Sequence, residues 1–364
     1  MSLPAAVSSA ASYDVLDEAL TLLAPCGSDL ANGLTSHAPM VAEALCALGR
    51  PDAVLPWLAH YRAGMLPRPP TREPIDARRW REALARPERI EDWARFFGGE
   101  LREAAWPDVL QRWTAQLAPG LAGAATHGVI RVGHAVRALD AGNSPARLRE
   151  LADGLALLAA SYQELPAAEG TASAGRPASE AIARVAVVPR GERRFAGTIV
   201  SSLEALDDFP PFAGAIQLLD VEGDLSLRLS ELTDAFARVF LANARDVLGA
   251  IVFAHAVTSV AAVRSLAPHL DDATARRALR FAWQAGAALY AAFGDRPAPV
   301  APVAPPAEST EALADRAVAQ GDEHAIKFAE ACLREHALRP SPAYPAAVRA
   351  ALDLLPRAAA ASTS

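Results

Sequence analysis

Asp246–Leu266, DVLGAIVFAHAVTSVAAVRSL, decides the fold. The stretch is Ala-rich and almost uncharged, so a helix built from it has no broad polar face. Such a helix is buried on most sides and needs other helices around it. His255 sits at its middle. The same helical recurrence of apolar residues continues outward in both directions. Tyr13–Leu23 carries Val15, Leu16, Ala19, Leu20 and Leu23 at helical spacing and stops at Pro25 and Gly27. His37–Gly49 reads as a helix with Pro39 in its first turn, where a missing N–H costs nothing. Further helices are expected over 52–63, between Trp80 and Phe97, and over 106–117, 118–139 and 144–162. Others follow over 197–206, 230–243, 271–293, 309–319, 321–337 and 342–355. About fourteen helices with almost no strand signal define an all-α chain.

The expected architecture is a single large multi-helix bundle over residues 1–364, frayed at 1–12 and 357–364. Residues 166–198 break the pattern with Pro, Gly, Ala and Ser, followed by the β-prone run Arg184-Val185-Ala186-Val187-Val188. They read as an irregular excursion or lid, with disorder near 168–177. Residues 295–308 read as a stiff Pro/Ala linker. No internal repeat recurs at a fixed period.

Composition excludes several classes. A net charge of −7 offers no basic footprint for nucleic acid. No apolar run is read as long enough to span a bilayer, and residues 1–12 lack the pattern of a signal peptide. A soluble, cytoplasmic chain with no membrane partner is therefore expected. Cys26, Cys46 and Cys332 are widely spaced, which argues against a disulfide framework or a zinc ribbon. No Gly-rich dinucleotide fingerprint follows a strand, so nothing supports a built-in NADPH or flavin site.

Chemistry concentrates in two stretches. Of the 35 Lys and Arg residues, Lys327 is the only lysine. An amine can lose its proton and become a nucleophile or a carbamate, which a guanidinium cannot. Lys327 follows His324 by three residues in a helical pattern, so the two share a face. The second stretch is Ala118–Leu139, with Gly128 and Gly133 inside a helical pattern. Each glycine weakens a helix by roughly 1 kcal/mol relative to Ala, and marks close packing or approach of a ligand. His127, Arg131 and His134 fall on one face of that helix.

Of eight histidines, His60, His269 and His336 sit in polar company and read as surface residues. His37, His127, His134, His255 and His324 sit on apolar or Gly/Ala-rich faces. A lone histidine there is more often a satisfied core residue. Five of them, with the only lysine beside one, shift the balance toward a metal site in the bundle core. His127 and His134 are about 10 Å apart along a helix, so only one can reach a given ion. The candidates are then His37, His127 or His134, His255 and His324, one from each of four helices. Such a nitrogen-rich set suits Fe, Cu, Ni or Zn. An oxygen donor would come from Asp322, Glu323 or a carbamate on Lys327.

Four blocks in this order resemble the questin oxidase-like family. They are Asn32-Gly33-Leu34-Thr35-Ser36-His37, Thr126-His127-Gly128-Val129-Ile130-Arg131-Val132-Gly133-His134-Ala135, Phe253-Ala254-His255-Ala256-Val257-Thr258-Ser259 and Asp322-Glu323-His324-Ala325-Ile326-Lys327. The resemblance implies an all-helical fold and oxidative, Baeyer–Villiger-like opening of an anthraquinone-type ring, as in fungal members. It also implies a non-haem Fe(II) centre held by His37, His127, His255, His324 and a carboxylated Lys327. The chain departs from the fungal pattern where it has Ser36-His37 in place of paired histidines, and Arg131 and His134 in place of His and Tyr. The ligand positions are kept while the pocket differs.

The expected activity is that of a metal-dependent mono- or dioxygenase using O2 and a small aromatic, polyketide or quinone substrate. NADPH is left open as an external reductant. Arg131, His134 and Thr258 are the expected catalytic groups, placed to bind a substrate oxygen and stabilise negative charge. Trp and Phe residues from several helices would wall the pocket. The alternatives are a Zn- or Ni-dependent hydrolase and a non-catalytic helical binding protein.

Overall fold

Asp246 begins the helix expected at the centre: its carboxylate accepts the Gly249 amide at 2.8 Å, and the helix runs Val247–Leu266. The structure, a computed structural model, describes residues 13–168, 175–297 and 303–358. Residues 1–12 and 359–364 of the expected frayed ends lie outside it. So do 169–174 of the expected disorder and 298–302 of the expected linker.

The protein is all-α. In chain order the helices are α1 (Asp14–Leu23), α2 (Ala38–Ala47), α3 (Val54–Tyr61), α4 (Ile90–Glu103), α5 (Trp106–Leu117), α6 (His127–Ala141), α7 (Pro145–Ala160) and α8 (Ala178–Ile182). They continue as α9 (Ile199–Glu204), α10 (Leu225–Asn243), α11 (Val247–Leu266), α12 (Asp272–Phe293), α13 (Thr310–Gln320), α14 (Glu323–Leu338) and α15 (Ala343–Leu354). Ser144 caps α7 through the Arg147 amide. Asp224 caps α10 at 2.9 Å, which starts that helix five residues before the expected Ser230.

α6 and α11 are the inner pair. α6 packs on α2, α7 and α11, while α11 packs on α6, α10, α12 and α14. The two glycines of α6 explain how closely it sits. A Cβ at Gly128 would lie 2.7 Å from the Leu158 Cα on α7, and one at Gly133 would lie 2.6 Å from the Ala262 Cβ on α11. Both positions therefore serve close helix packing. α11, with the turn to His269, is long and apolar enough by length and composition to cross a membrane, which corrects the reading that no run has that length. Its apolar window is 72% buried inside the bundle, so its apolarity is accounted for by packing.

Two features escaped the helical pattern. β1 (Cys26–Leu30) pairs antiparallel with β2 (Met65–Pro67) and precedes the segment that leads to His37. Arg68 ties this two-stranded sheet to the bundle through Asp153 (2.6 Å) and Glu91 (2.9 Å). The β-prone run Arg184–Val188 forms no strand, because no partner strand lies beside it. Val185 and Val188 are buried instead, and the Val188 amide donates to Ala291 on α12. Trp80, Trp93, Phe97 and Trp113 contact one another edge-on or stacked and are buried, so these aromatics are core.

Candidate metal centre

Each histidine of the cluster is set by its backbone. His37 is the residue before α2. Its amide donates to the Tyr61 hydroxyl at 2.9 Å and its carbonyl accepts the Val41 amide at 3.0 Å. His127 is the first residue of α6. Ala124, Ala125 and Thr126 before it have φ of 47°, 54° and 73°, in the left-handed region. A non-glycine residue there costs of order 1–2 kcal/mol, and three in a row are found where a site needs an unusual turn. This turn brings the Ala124 carbonyl onto His127 Nδ1. His255 lies at mid-α11, with Nδ1 donating to the Ile251 carbonyl at 2.6 Å. His324 and Lys327 lie in the first two turns of α14, which Asp322 caps by accepting the amides of His324 and Ala325, both at 2.9 Å.

The rings converge. His37 Nε2 is 2.6 Å from His127 Nε2, which is 3.2 Å from His255 Nε2. The His324 ring lies 4.6 Å from that of His37 and 5.6 Å from that of His255, centroid to centroid. A carbonyl can only accept, so Nδ1 carries the proton in His127 and His255. Their Nε2 atoms then face each other as two lone pairs. A proton on His37 Nε2 can bridge to His127, but nothing in the protein bridges His127 to His255. Two ligands at 2.0–2.1 Å from one ion, at right-angled to tetrahedral geometry, lie about 2.9–3.4 Å apart. The 3.2 Å separation of His127 and His255 falls in this range and the 2.6 Å between His37 and His127 lies below it, so the nitrogen set suits a transition metal once the His37–His127 pair opens by a few tenths of an ångström.

Burial holds all four imidazoles below the usual range, His255 down to about 3, and the charge of Lys327 adds to this. A proton is thus a poor substitute for a metal cation here. Lys327 is 3% exposed, and among the described residues no hydrogen bond or ion pair holds its amine. Burial pushes it down to about 8, against the opposing pull of Glu323 and Asp322. A neutral amine is what carbamate formation requires. Asp322 Oδ1 accepts two amides and lies 3.8 Å from His324 Nδ1.

Arg131, His134 and Thr258, the expected catalytic groups, are engaged elsewhere. The Arg131 guanidinium is buried and donates to Glu150 at 2.6 and 2.9 Å and to Ser28 at 2.9 Å. His134 Nδ1 lies 2.6 Å from Glu43 Oε2. Glu43 also takes the Tyr13 hydroxyl (2.7 Å) and Arg137, which pairs in turn with Glu330. Burial opposes ionisation of Glu43, but Arg137 and His134 bring it down to about 2. The Thr258 hydroxyl donates back to Ala254 at 2.9 Å. Thr258, His134, Glu330 and Lys327 line one small cavity of about 10 Å³, near the size of a single water. In this structure Arg131 is thus paired with Glu150, and His134, whose pKa burial holds below its usual value, contacts Glu43.

Sequence reading missed Tyr61, which anchors the His37 amide from 24 residues away and stacks on Trp57 at 4.6 Å. Nothing local signals that contact. Glu43 did carry a signal, as the one carboxylate within the apolar α2.

The fold and site together define an all-helical protein built around a buried cluster of four imidazoles and one amine. The chain belongs to the questin oxidase-like family, whose family model matches residues 35–332 and so spans all five of those residues. Membership suggests an oxidase or oxygenase acting on polyketide-type small molecules. A comparison with curated proteins finds none that matches.

Proposed function

We propose that the protein is a non-haem iron oxygenase that opens a ring of an aromatic polyketide or quinone-type substrate with O2. The observation that carries this reading is the meeting of the His37, His127 and His255 Nε2 atoms in a buried space, with the outward protons of His127 and His255 held by backbone carbonyls. His37, His127, His255 and His324 would hold the ion, and Lys327 would add an oxygen as its carbamate. Iron bound there would supply the one-electron chemistry that lets O2 react with a closed-shell organic molecule.

The chain's own residues set the conditions for that chemistry. The Ala124 and Ile251 carbonyls fix two imidazole tautomers before any ligand arrives, so little reorganisation is needed. Burial excludes bulk water from the cluster. The neutral Lys327 amine attacks the carbon of CO2, a C–N bond forms, and the amine proton leaves to solvent. The resulting carbamate anion offsets part of a cation's charge. Tyr61, held to the His37 amide and stacked on half-buried Trp57, gives the cluster an aromatic neighbour.

Purification under anaerobic conditions followed by metal analysis tests the reading. Iron near stoichiometric amounts, with O2 uptake dependent on a hydroxyanthraquinone, supports it. Zinc with O2-independent turnover would favour the hydrolase, and no metal at all would favour a binding protein. Adding NADPH to the same assay shows whether an external reductant is required.

A further inference from the structure

We propose that Glu323 is a positioning residue whose carboxylate receives the Nδ1 protons of His37 and His324. The inference rests on a cation at the histidine cluster. Glu323 Oε1 lies 3.9 Å from His37 Nδ1 and 4.0 Å from His324 Nδ1. His37, Glu323 and His324 bring one ligand-type atom each within 4.8 Å of one another, so the trio resembles a metal site in its own right. The nitrogens argue otherwise. Glu323 faces Nδ1 of His37, whereas Nε2 of that ring points at His127. In a mononuclear site one imidazole serves an ion through one nitrogen, so the carboxylate stands behind the ring.

The partner count around the cluster shows why such a group is needed. His127 has the Ala124 carbonyl at Nδ1, and His255 has the Ile251 carbonyl. His37 Nδ1 is buried and has no hydrogen-bond partner, although it borders a carboxylate. A ring that binds a cation through Nε2 must carry its proton on Nδ1, and that proton needs an acceptor. Asp322 Oδ1 lies nearer His324 Nδ1, at 3.8 Å, but that oxygen already accepts the amides of His324 and Ala325 at the head of α14 and forms no ion pair with His37 among the described residues. Glu323 is the side chain still able to turn: it is 27% exposed, forms no hydrogen bond among the described residues, and needs about 1 Å of movement to reach hydrogen-bond length. One carboxylate has two oxygens and can serve both rings.

The test uses Co(II) as the probe, added to metal-stripped wild type, Glu323→Gln and Glu323→Ala. Affinity is read by competition with a chelator, coordination by the visible Co(II) spectrum, and ring tautomers by long-range ¹H–¹⁵N correlation on the same proteins loaded with diamagnetic Zn(II). Glu323→Ala should weaken Co(II) binding about 10–100-fold, and Glu323→Gln less, because its amide oxygen still accepts. Band positions and intensities should stay those of wild type. In Zn(II)-loaded Glu323→Ala the His37 Nδ1–H signal should lose the downfield shift that a carboxylate acceptor gives. A role limited to helix stability would lower the melting temperature of Glu323→Ala and leave affinity and ring signals unchanged, which overturns the proposal. A changed spectrum in both variants would make Glu323 a ligand and overturn it too. If wild type itself binds no Co(II), the cation reading falls and takes this inference with it; equal binding by wild type and Glu323→Ala removes this inference alone.

Discussion

His127 and His255 present Nε2 atoms to each other at 3.2 Å while each ring gives its Nδ1 proton to a backbone carbonyl. Two lone pairs at that distance, in a buried site, repel. The account expects a cation to relieve the repulsion, so metal should stabilise the fold. Loading metal to 100 times its dissociation constant adds about 2.7 kcal/mol. Thermal unfolding with and without chelator measures this, and His255→Ala should abolish most of the difference.

The turn before His127 stores strain. Ala125 sits at φ 54°, where glycine is at ease. Ala125→Gly should stabilise the metal-free protein by about 0.5–1 kcal/mol, the relief of strain less the added freedom of the unfolded chain. The same variant should bind metal more weakly, because the turn that aims His127 is looser. Denaturant unfolding and chelator competition read the two effects. Destabilisation of the metal-free variant would show that the turn is unstrained.

Acid and base should act on the metal-free protein in a fixed order. The four imidazoles have folded pKa values below the unfolded value near 6.5, so the unfolded chain binds more protons. Stability is then present above about 6.5 and falls as pH drops below it, continuing toward about 3 for His255. Lys327, lowered to about 8 from about 10.5, is also depressed. The cost of burying its charge is full below pH 8 and fades as pH rises to about 10.5. Denaturant midpoints across pH 4–10 should therefore rise up to about 6.5, and Lys327 should add a further rise above 8 that Lys327→Met lacks.

His134 and Arg131 should behave as structural groups. Arg131→Lys loses the paired hydrogen bonds to Glu150, and Glu43→Gln leaves Arg137 with one buried carboxylate fewer. Breaking a buried pair costs about 3–5 kcal/mol. Both variants should melt earlier yet keep full metal content when folded. A folded Arg131→Lys protein with wild-type stability and lost activity would return Arg131 to the substrate.

Much of this was legible before any coordinates. The apolar Asp246–Leu266 stretch reads as a surrounded helix, and it is one. The one-turn spacing of His324 and Lys327 puts them on one face whatever surrounds them. Spacing alone could not choose between His127 and His134, because both share a face of α6 and only the tertiary partners differ: His37 and His255 for His127, Glu43 from α2 for His134. The left-handed turn at Ala124–Thr126 gave no signal either, since alanine favours helix and a tertiary fit overrides it. The carboxylate partners of Arg131 were not legible either, because Glu150 lies on a different helix.

The most direct measurement is the iron content of protein prepared without oxygen, compared between wild type, His127→Ala and Lys327→Arg. The account predicts about one iron per wild-type chain and almost none in His127→Ala, as expected when a ligand is removed from a nitrogen-rich site. Lys327→Arg, which keeps a positive charge but cannot take up CO2, should hold iron poorly as well. Full iron in all three proteins, or none in wild type, would contradict it.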